Sequence, residues 1–175
     1  NAAEFIPDVT SYGIIAFTRC TKSTDTPRFV LVQHLSGFID FPKGRPEKTD
    51  SSERASGIRE FTEETGLTDV DLQFIHDDDQ VIVTEYIYRR KLKGGVKKKI
   101  NKRVVYWVAM MRKDVTVDDM KVQTSEIRNG YMLSYDEATT RITYDQTKNL
   151  LDQAQTRIKI FLGTLPESQV DVCLL

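Results

Sequence analysis

Three carboxylates crowd one short segment of this chain: in "REFTEETGL", Arg59 to Leu67, Glu60 is followed by Glu63 and Glu64. On a helix, residues three and four apart share a face, so the three acids lie together. Like charges at that spacing repel and weaken an isolated helix, which implies positive charge nearby to offset them. Two kinds of chemistry follow from such a cluster. Grouped carboxylate oxygens hold a hard divalent cation such as Mg²⁺ or Mn²⁺, which keeps waters that can bridge to phosphates. A carboxylate outside the coordination shell can take a proton from an attacking water. Arg59, adjacent to Glu60, can neutralise part of the cluster and orient a carboxylate by paired hydrogen bonds. On a featureless helix the same acids would be a solvated face, so their surroundings decide.

The helix that carries them is bounded on both sides. Asp50, Ser51 or Ser52 can cap its N-terminus, and Asp50 with Glu53 three residues on has the form of a capping box. The pattern predicts a helix over about 52–65, stopped by Gly66, a usual residue just past a helix end. Gly57 in mid-helix runs against helix propensity by ~1 kcal/mol relative to Ala, which close packing against a strand would explain. Before the helix, "SYGIIAFTRC" (Ser11 to Cys20) and "RFVLVQHL" (Arg28 to Leu35) are β-rich runs, followed by "SGFIDFPKG" with turns at Gly37, Pro42 and Gly44. After it, "LQFIHDDDQVIVTEYIYRRK" and "KKKINKRVVYWVAMMRKD" read as two strands joined by a hairpin tip at Gly94-Gly95. A short strand, "GYMLS", comes next. Residues 146–162 then form a helix whose Leu150, Leu151, Ala154, Ile158, Phe161 and Leu162 make one apolar stripe. From Gly163 onward the chain reads as a loosely held tail.

The chain has 175 residues with no internal linker or repeat, and reads as one domain over 1–175 with an ordered core over about 10–163. Hydrophobic residues make up 39% and charged residues 29%, the balance of a soluble globular protein, and the formal net charge of -1 selects no class of partner. No apolar run approaches the ~20 residues of a membrane span, so no membrane partner is expected. Cys20 and Cys173 are too few for a disulfide framework, and the default setting is a reducing, intracellular, cytoplasmic one. The chain begins at Asn1, so an organelle address upstream is left open.

Together, "FPKG" and "REFTEETGL" resemble the Nudix box, G-x5-E-x7-R-E-U-x-E-E-x-G-U, with Phe61 at the first U position. The order of elements is also similar to that family's α/β/α sandwich, an α/β fold with a mixed β-sheet between helices. The match departs in one place. Counted back from Arg59, the box Gly and first Glu fall on Arg45 and Ser51, while the glycine stands at Gly44 and Asp50 is closest to the missing Glu. One extra residue therefore lies in the loop. The resemblance implies a Mg²⁺-dependent hydrolase of phosphoanhydride bonds, with Mn²⁺ as a substitute. It assigns the metal to Glu60, Glu63, Glu64 and the Gly44 carbonyl, with Glu63 sharing an ion or acting as base. Lys43 would face a substrate phosphate, Arg59 would bind substrate beside it, and Glu60 counts among the catalytic acids as well as the metal ligands.

After the box, "KRVVYWVAMM", "VQTSEIRNGYMLSYDEA" and "RITYDQTKNLLDQAQTRIKIFL" are similar to asymmetrical bis(5′-nucleosyl)-tetraphosphatases. That resemblance implies a dinucleoside polyphosphate substrate such as diadenosine tetraphosphate. Glu126 then becomes a catalytic base or an extra ligand, Tyr144 stacks on a nucleobase, and Tyr88 or Tyr86 supplies the opposing face. Two features favour a different substrate. Ile39 stands where that group has Trp, and "RRKLKGGVKKKINKR", Arg89 to Arg103, carries nine basic residues and no acid. They point to the 5′ end of an RNA, as in decapping enzymes and RNA 5′ pyrophosphohydrolases, drawn by its phosphates. A Nudix-fold nucleotide-binding or RNA-binding subunit with weak catalysis is the alternative from another class. Oligomeric state is not legible.

Overall fold

A computed structural model describes residues 4–20 and 25–165; Cys173 and the tail from 166 on lie outside the described residues. The centre of the sheet is built from two strands that run side by side in parallel, β1 (Val9–Thr18) and β7 (Lys97–Met111), in register from Val9↔Lys102 to Thr18↔Met111. Each has its outer edge divided between two shorter partners. β1 pairs antiparallel with β2 (Phe29–His34) at its C-terminal end and with β4 (Lys43–Gly44) at its N-terminal end. β7 pairs antiparallel with β6 (Ile82–Lys91) over its first part and with β5 (Leu72–Phe74) over its last. β2 also carries β3 (Ile39–Asp40) and β8 (Ile127–Leu133), both antiparallel.

Alternation along the two central strands sorts the core into two layers, because successive side chains point to opposite faces. Tyr12, Ile14 and Ala16 of β1 join Val105, Trp107 and Ala109 of β7 beneath helix α1 (Glu53–Thr65), which contributes Phe61. Ile15 and Phe17 join Val104, Tyr106 and Val108 on the other face, covered by α3 (Asp145–Thr164) through Leu150, Leu151, Ala154 and Ile158. The short helix α2 (Tyr135–Arg141) adds Ala138 to that second layer. The expected mixed sheet between helices is therefore present, an α/β/α sandwich. No helix among the described residues is long and apolar enough to cross a membrane.

Gly57 finds its reason here. A Cβ on it would lie 3.3 Å from the backbone N and O of Gly13, so α1 sits directly on the β1 backbone. Two elements differ from the sequence pattern. The run from Leu72 is not one strand: after β5 it leaves the edge of β7 through a 3-10 turn at Asp78–Gln80. Asp78 there accepts from Trp107 Nε1 at 2.9 Å and pairs with Arg54 at 3.1 Å. Three successive aspartates, Asp77 to Asp79, do not suit a ladder, and the middle one serves as an acceptor instead. "SYDEATTRI", without an assignment from sequence, is α2, started by a Ser134–Glu137 capping box.

Candidate active site

Helix α1 begins at Ser52, whose Oγ accepts from Ala55 N, and ends at Gly66 in the left-handed region (φ 72°). The cap is thus Ser52, and the expected Asp50–Glu53 box does not form. Asp50 is drawn instead to Arg59, whose Nε and second Nη donate to the two Asp50 carboxylate oxygens at 2.9 and 3.1 Å. A two-pronged, charge-assisted pair outcompetes a single backbone N–H. Asp50 also accepts from Ser56 Oγ and Glu47 N, both at 2.7 Å, and Arg59 above all holds its carboxyl well below the usual carboxylate range. The extra loop residue therefore leaves an acid in place to anchor the arginine.

Arg59 directs its remaining donors at the helix and the loop. One Nη sits between Glu60 Oε1 at 3.0 Å and Glu63 Oε2 at 3.1 Å, and the other also donates to the Arg45 carbonyl at 2.8 Å. All five N–H groups thus meet protein acceptors. In this arrangement the arginine ties loop to helix and supplies part of the positive charge that the glutamate cluster requires.

Glu64 lies deepest, 2% exposed, with Oε2 accepting from Lys43 N at 3.2 Å. Desolvation pushes its carboxyl up to about 8, against the pull of Lys43. Burial likewise raises Glu60, and the charges of Glu63 and Glu126 add to the effect. Glu126, exposed in the loop before β8, is thereby placed within electrostatic reach of the cluster. Gly44 admits the cluster to the loop: a Cβ there would overlap the Glu60 carboxylate at 2.0–2.2 Å, so only glycine lets this acid close on the β4 backbone. Among the described residues no three acids, histidines or cysteines converge on one ion-sized point, as Arg59 draws Glu60 and Glu63 while Lys43 N draws Glu64. The donor set still fits a divalent cation. It is all oxygen, and a carboxylate as desolvated as Glu64 gains strongly from a positive charge beside it.

Beside the cluster opens a cavity of about 510 Å³ lined by Phe38, Tyr86, Tyr88 and Tyr144, with Asp40, Lys43 and Lys102 among its polar groups. The structure thus brings Tyr88 and Tyr144 to one cavity and places Tyr86 there too, its ring centre 6.4 Å from that of Tyr88. Phe38 packs on Tyr144 at 5.7 Å and stacks on His34 at 4.2 Å. Lys43 is buried and bonded to Asp40 at 2.8 Å; burial would lower its ammonium, but Asp40 holds it above its ordinary value. Asp40 in turn accepts from Phe41 N and Thr147 Oγ1. Phe38 and Asp40 stand in the quoted "GFIDFPKG", yet nothing in their types alone marked them. Lys102, hidden in the basic run, is pulled down to about 8 by burial.

A carboxylate helix laid against a glycine loop thus stands beside an aromatic, basic-floored cavity on an α/β/α sandwich. Residues 12–153 match the family described as NUDIX domain, and the chain belongs to that family. Among solved structures it is similar to a C. elegans Ap4A hydrolase in a binary complex (22% identical, 90% of this chain and 99% of that one, TM-score 0.64). It is similar as well to the NUDIX domain of Shewanella oneidensis NrtR complexed with ADP ribose (14% identical, 88% and 90%, TM-score 0.62). At these identities the likeness is one of fold. A protein of Acanthamoeba polyphaga mimivirus named "Putative mRNA-decapping protein" is 29% identical over 124 residues, 70% of this chain. The match spans about a third of that relative, 31% of its length.

Proposed function

We propose that this protein is a Mg²⁺-dependent hydrolase of a phosphoanhydride bond in a dinucleoside polyphosphate of the diadenosine tetraphosphate kind. The observation that supports it best is the junction of two sites. The aromatic cavity shares Lys43 with β4, whose next residue, Gly44, lies under the Glu60 carboxylate. A nucleobase stacked between Tyr88 and Tyr144 would leave its phosphates facing Lys43 and Lys102, and the scissile anhydride beside α1. Stacking accepts any base, since each offers a π-face.

Glu60, Glu63, Glu64 and the Gly44 carbonyl are the residues that would hold the ion, which when bound screens phosphate charge and acidifies an attacking water. The chain's own groups do the rest. Arg59 and Asp50 fix the pitch of the helix against the loop, and Lys43 draws the phosphates towards it. Glu126, solvated and without a hydrogen bond to Arg59, is the base of this reading and takes the proton of the attacking water, with Glu63 as the alternative. The products are a nucleoside triphosphate and a monophosphate.

A second reading keeps the chemistry and seats the 5′ end of an RNA in the same cavity. The loss of a Trp at Ile39 and the basic β6–β7 hairpin favour it, and the printed name of the mimivirus relative points the same way. Side-by-side hydrolysis with Mg²⁺ of diadenosine tetraphosphate and a 5′-triphosphorylated RNA at equal concentration separates them. Faster release of ATP and AMP supports the first reading; faster release of phosphate or pyrophosphate from RNA replaces it with the second. Binding without turnover of either would refute both and leave a nucleotide-binding protein.

A further inference from the structure

The β6–β7 hairpin continues past the sheet. Pairing of β7 with β1 begins at Lys102, Asp8 reaches Asn101, and beyond that the two strands form a free arm. Its ladder sets like against like: Arg89 opposite Lys99, Arg90 opposite Lys98, Lys91 opposite Lys97. Like charges directly across a ladder destabilise it, and an isolated two-stranded hairpin is marginal to begin with. Among the described residues none of these six has an ion-pair partner, whereas Arg103, lower on the arm, pairs with Glu85. Protection of the arm's two open edges needs only scattered cations, not three pairs set directly across the ladder.

One face of the arm runs out of the active-site cavity. Tyr86, Tyr88 and Arg90 alternate along β6, opposite Lys102, Ile100 and Lys98 of β7, and Tyr86, Tyr88 and Lys102 line the cavity. At about 3.3 Å of rise per residue, Arg90 stands ~13 Å beyond Tyr86. Two rings leading to a cationic pair make a stacking platform followed by a phosphate clamp, the combination that holds single-stranded nucleic acid.

We propose that this face of the arm is the track of a single-stranded RNA whose 5′ end lies in the cavity, Tyr88 stacking on a base and Arg90 with Lys98 holding the phosphates that follow. The assignment rests on the second reading of function for its occupant, not for its geometry. The closing experiment is fluorescence anisotropy with a 5′-hydroxyl single-stranded RNA of about a dozen nucleotides, which cannot be turned over at its 5′ end. Arg90→Glu turns a repelling pair into an attracting one, so it should leave the fold intact or firmer while removing the clamp. It is expected to weaken RNA binding about 10-fold and to flatten the dependence of log K on log salt by roughly 1. Tyr88→Ala should weaken binding by a further ~10-fold, with Tyr88→Phe restoring it.

Unchanged affinity and salt slope in Arg90→Glu, with an unchanged circular dichroism spectrum, would overturn the track. So would equal binding of a duplex of the same sequence, or a loss seen only with phosphatidylserine vesicles. Hydrolysis of 5′-triphosphorylated RNA is read separately. Wild-type binding along the arm without such hydrolysis would refute the RNA reading of the reaction and leave the track standing.

Discussion

Glu64→Gln separates what this acid does to the fold from what it does for the reaction. The carboxyl is 2% exposed and pushed from 4.5 up to about 8 by desolvation. Between those values the folded protein holds a proton that the unfolded chain releases, so stability present below pH 4.5 is lost as pH rises through about 8. At 1.36 kcal/mol per pH unit the charged form costs at most ~5 kcal/mol, and solvent entry and local relaxation reduce this to about 2 kcal/mol. Glutamine keeps an oxygen for Lys43 N and never charges. Without metal at pH near 8 the variant should therefore melt higher by roughly 4–8 °C, while at pH near 5 the two proteins should melt together. Calorimetric scans in EDTA across that range measure it. Mg²⁺ at ten times its Kd should raise the wild type by ~1.4 kcal/mol and Glu64→Gln by far less. Turnover in Mg²⁺ should fall by about 10³-fold or more. Parallel melting curves at all pH values, or equal Mg²⁺ stabilisation of both proteins, would refute the reasoning.

Arg59→Lys keeps the charge but loses the fork that binds Asp50 at two points, so kcat should fall by about 10²-fold with KM little changed, as initial-rate kinetics would show. Gly13→Ala would bring a Cβ to 2.4 Å from the Pro42 carbonyl oxygen and 2.6 Å from the Tyr106 ring. It should destabilise by about 2 kcal/mol or more in urea titration and displace β4 with Lys43 and Gly44. Lys102 loses its charge as pH rises through about 8. KM for a phosphate-bearing substrate should accordingly climb above that pH in the wild type and stay flat in Lys102→Met, a comparison of two pH profiles.

The sequence by itself determined the main strands and helices, and its resemblance to a known motif implied how they stack and what chemistry they serve. The near-continuous apolar runs "YGIIAF" and "VVYWVAMM" read as strands buried on both faces and the apolar stripe of α3 as a helix with one face to the core, while the resemblance to the Nudix box implied the sandwich that stacks them. The spacing of Glu60, Glu63 and Glu64 grouped three acids on one face, and the likeness of "FPKG" and "REFTEETGL" to the Nudix box implied a metal site there. Tertiary structure decided how the charges are distributed. Whether Asp50 caps a helix or grips Arg59, and which acids Arg59 joins, depends on where the "GRPEKTD" loop closes over α1. No local pattern encodes that closure. Lys43 and Lys102 gave no sign of burial, since a lysine's depth follows from what packs around it: Lys43 meets Asp40 three residues away, and Lys102 faces the cavity from a strand. The arm is the mirror case. Its cations were plain in the sequence, but only the register that sets Arg90 across from Lys98 shows them to be mutually opposed, because one residue of slip would send each to the other face.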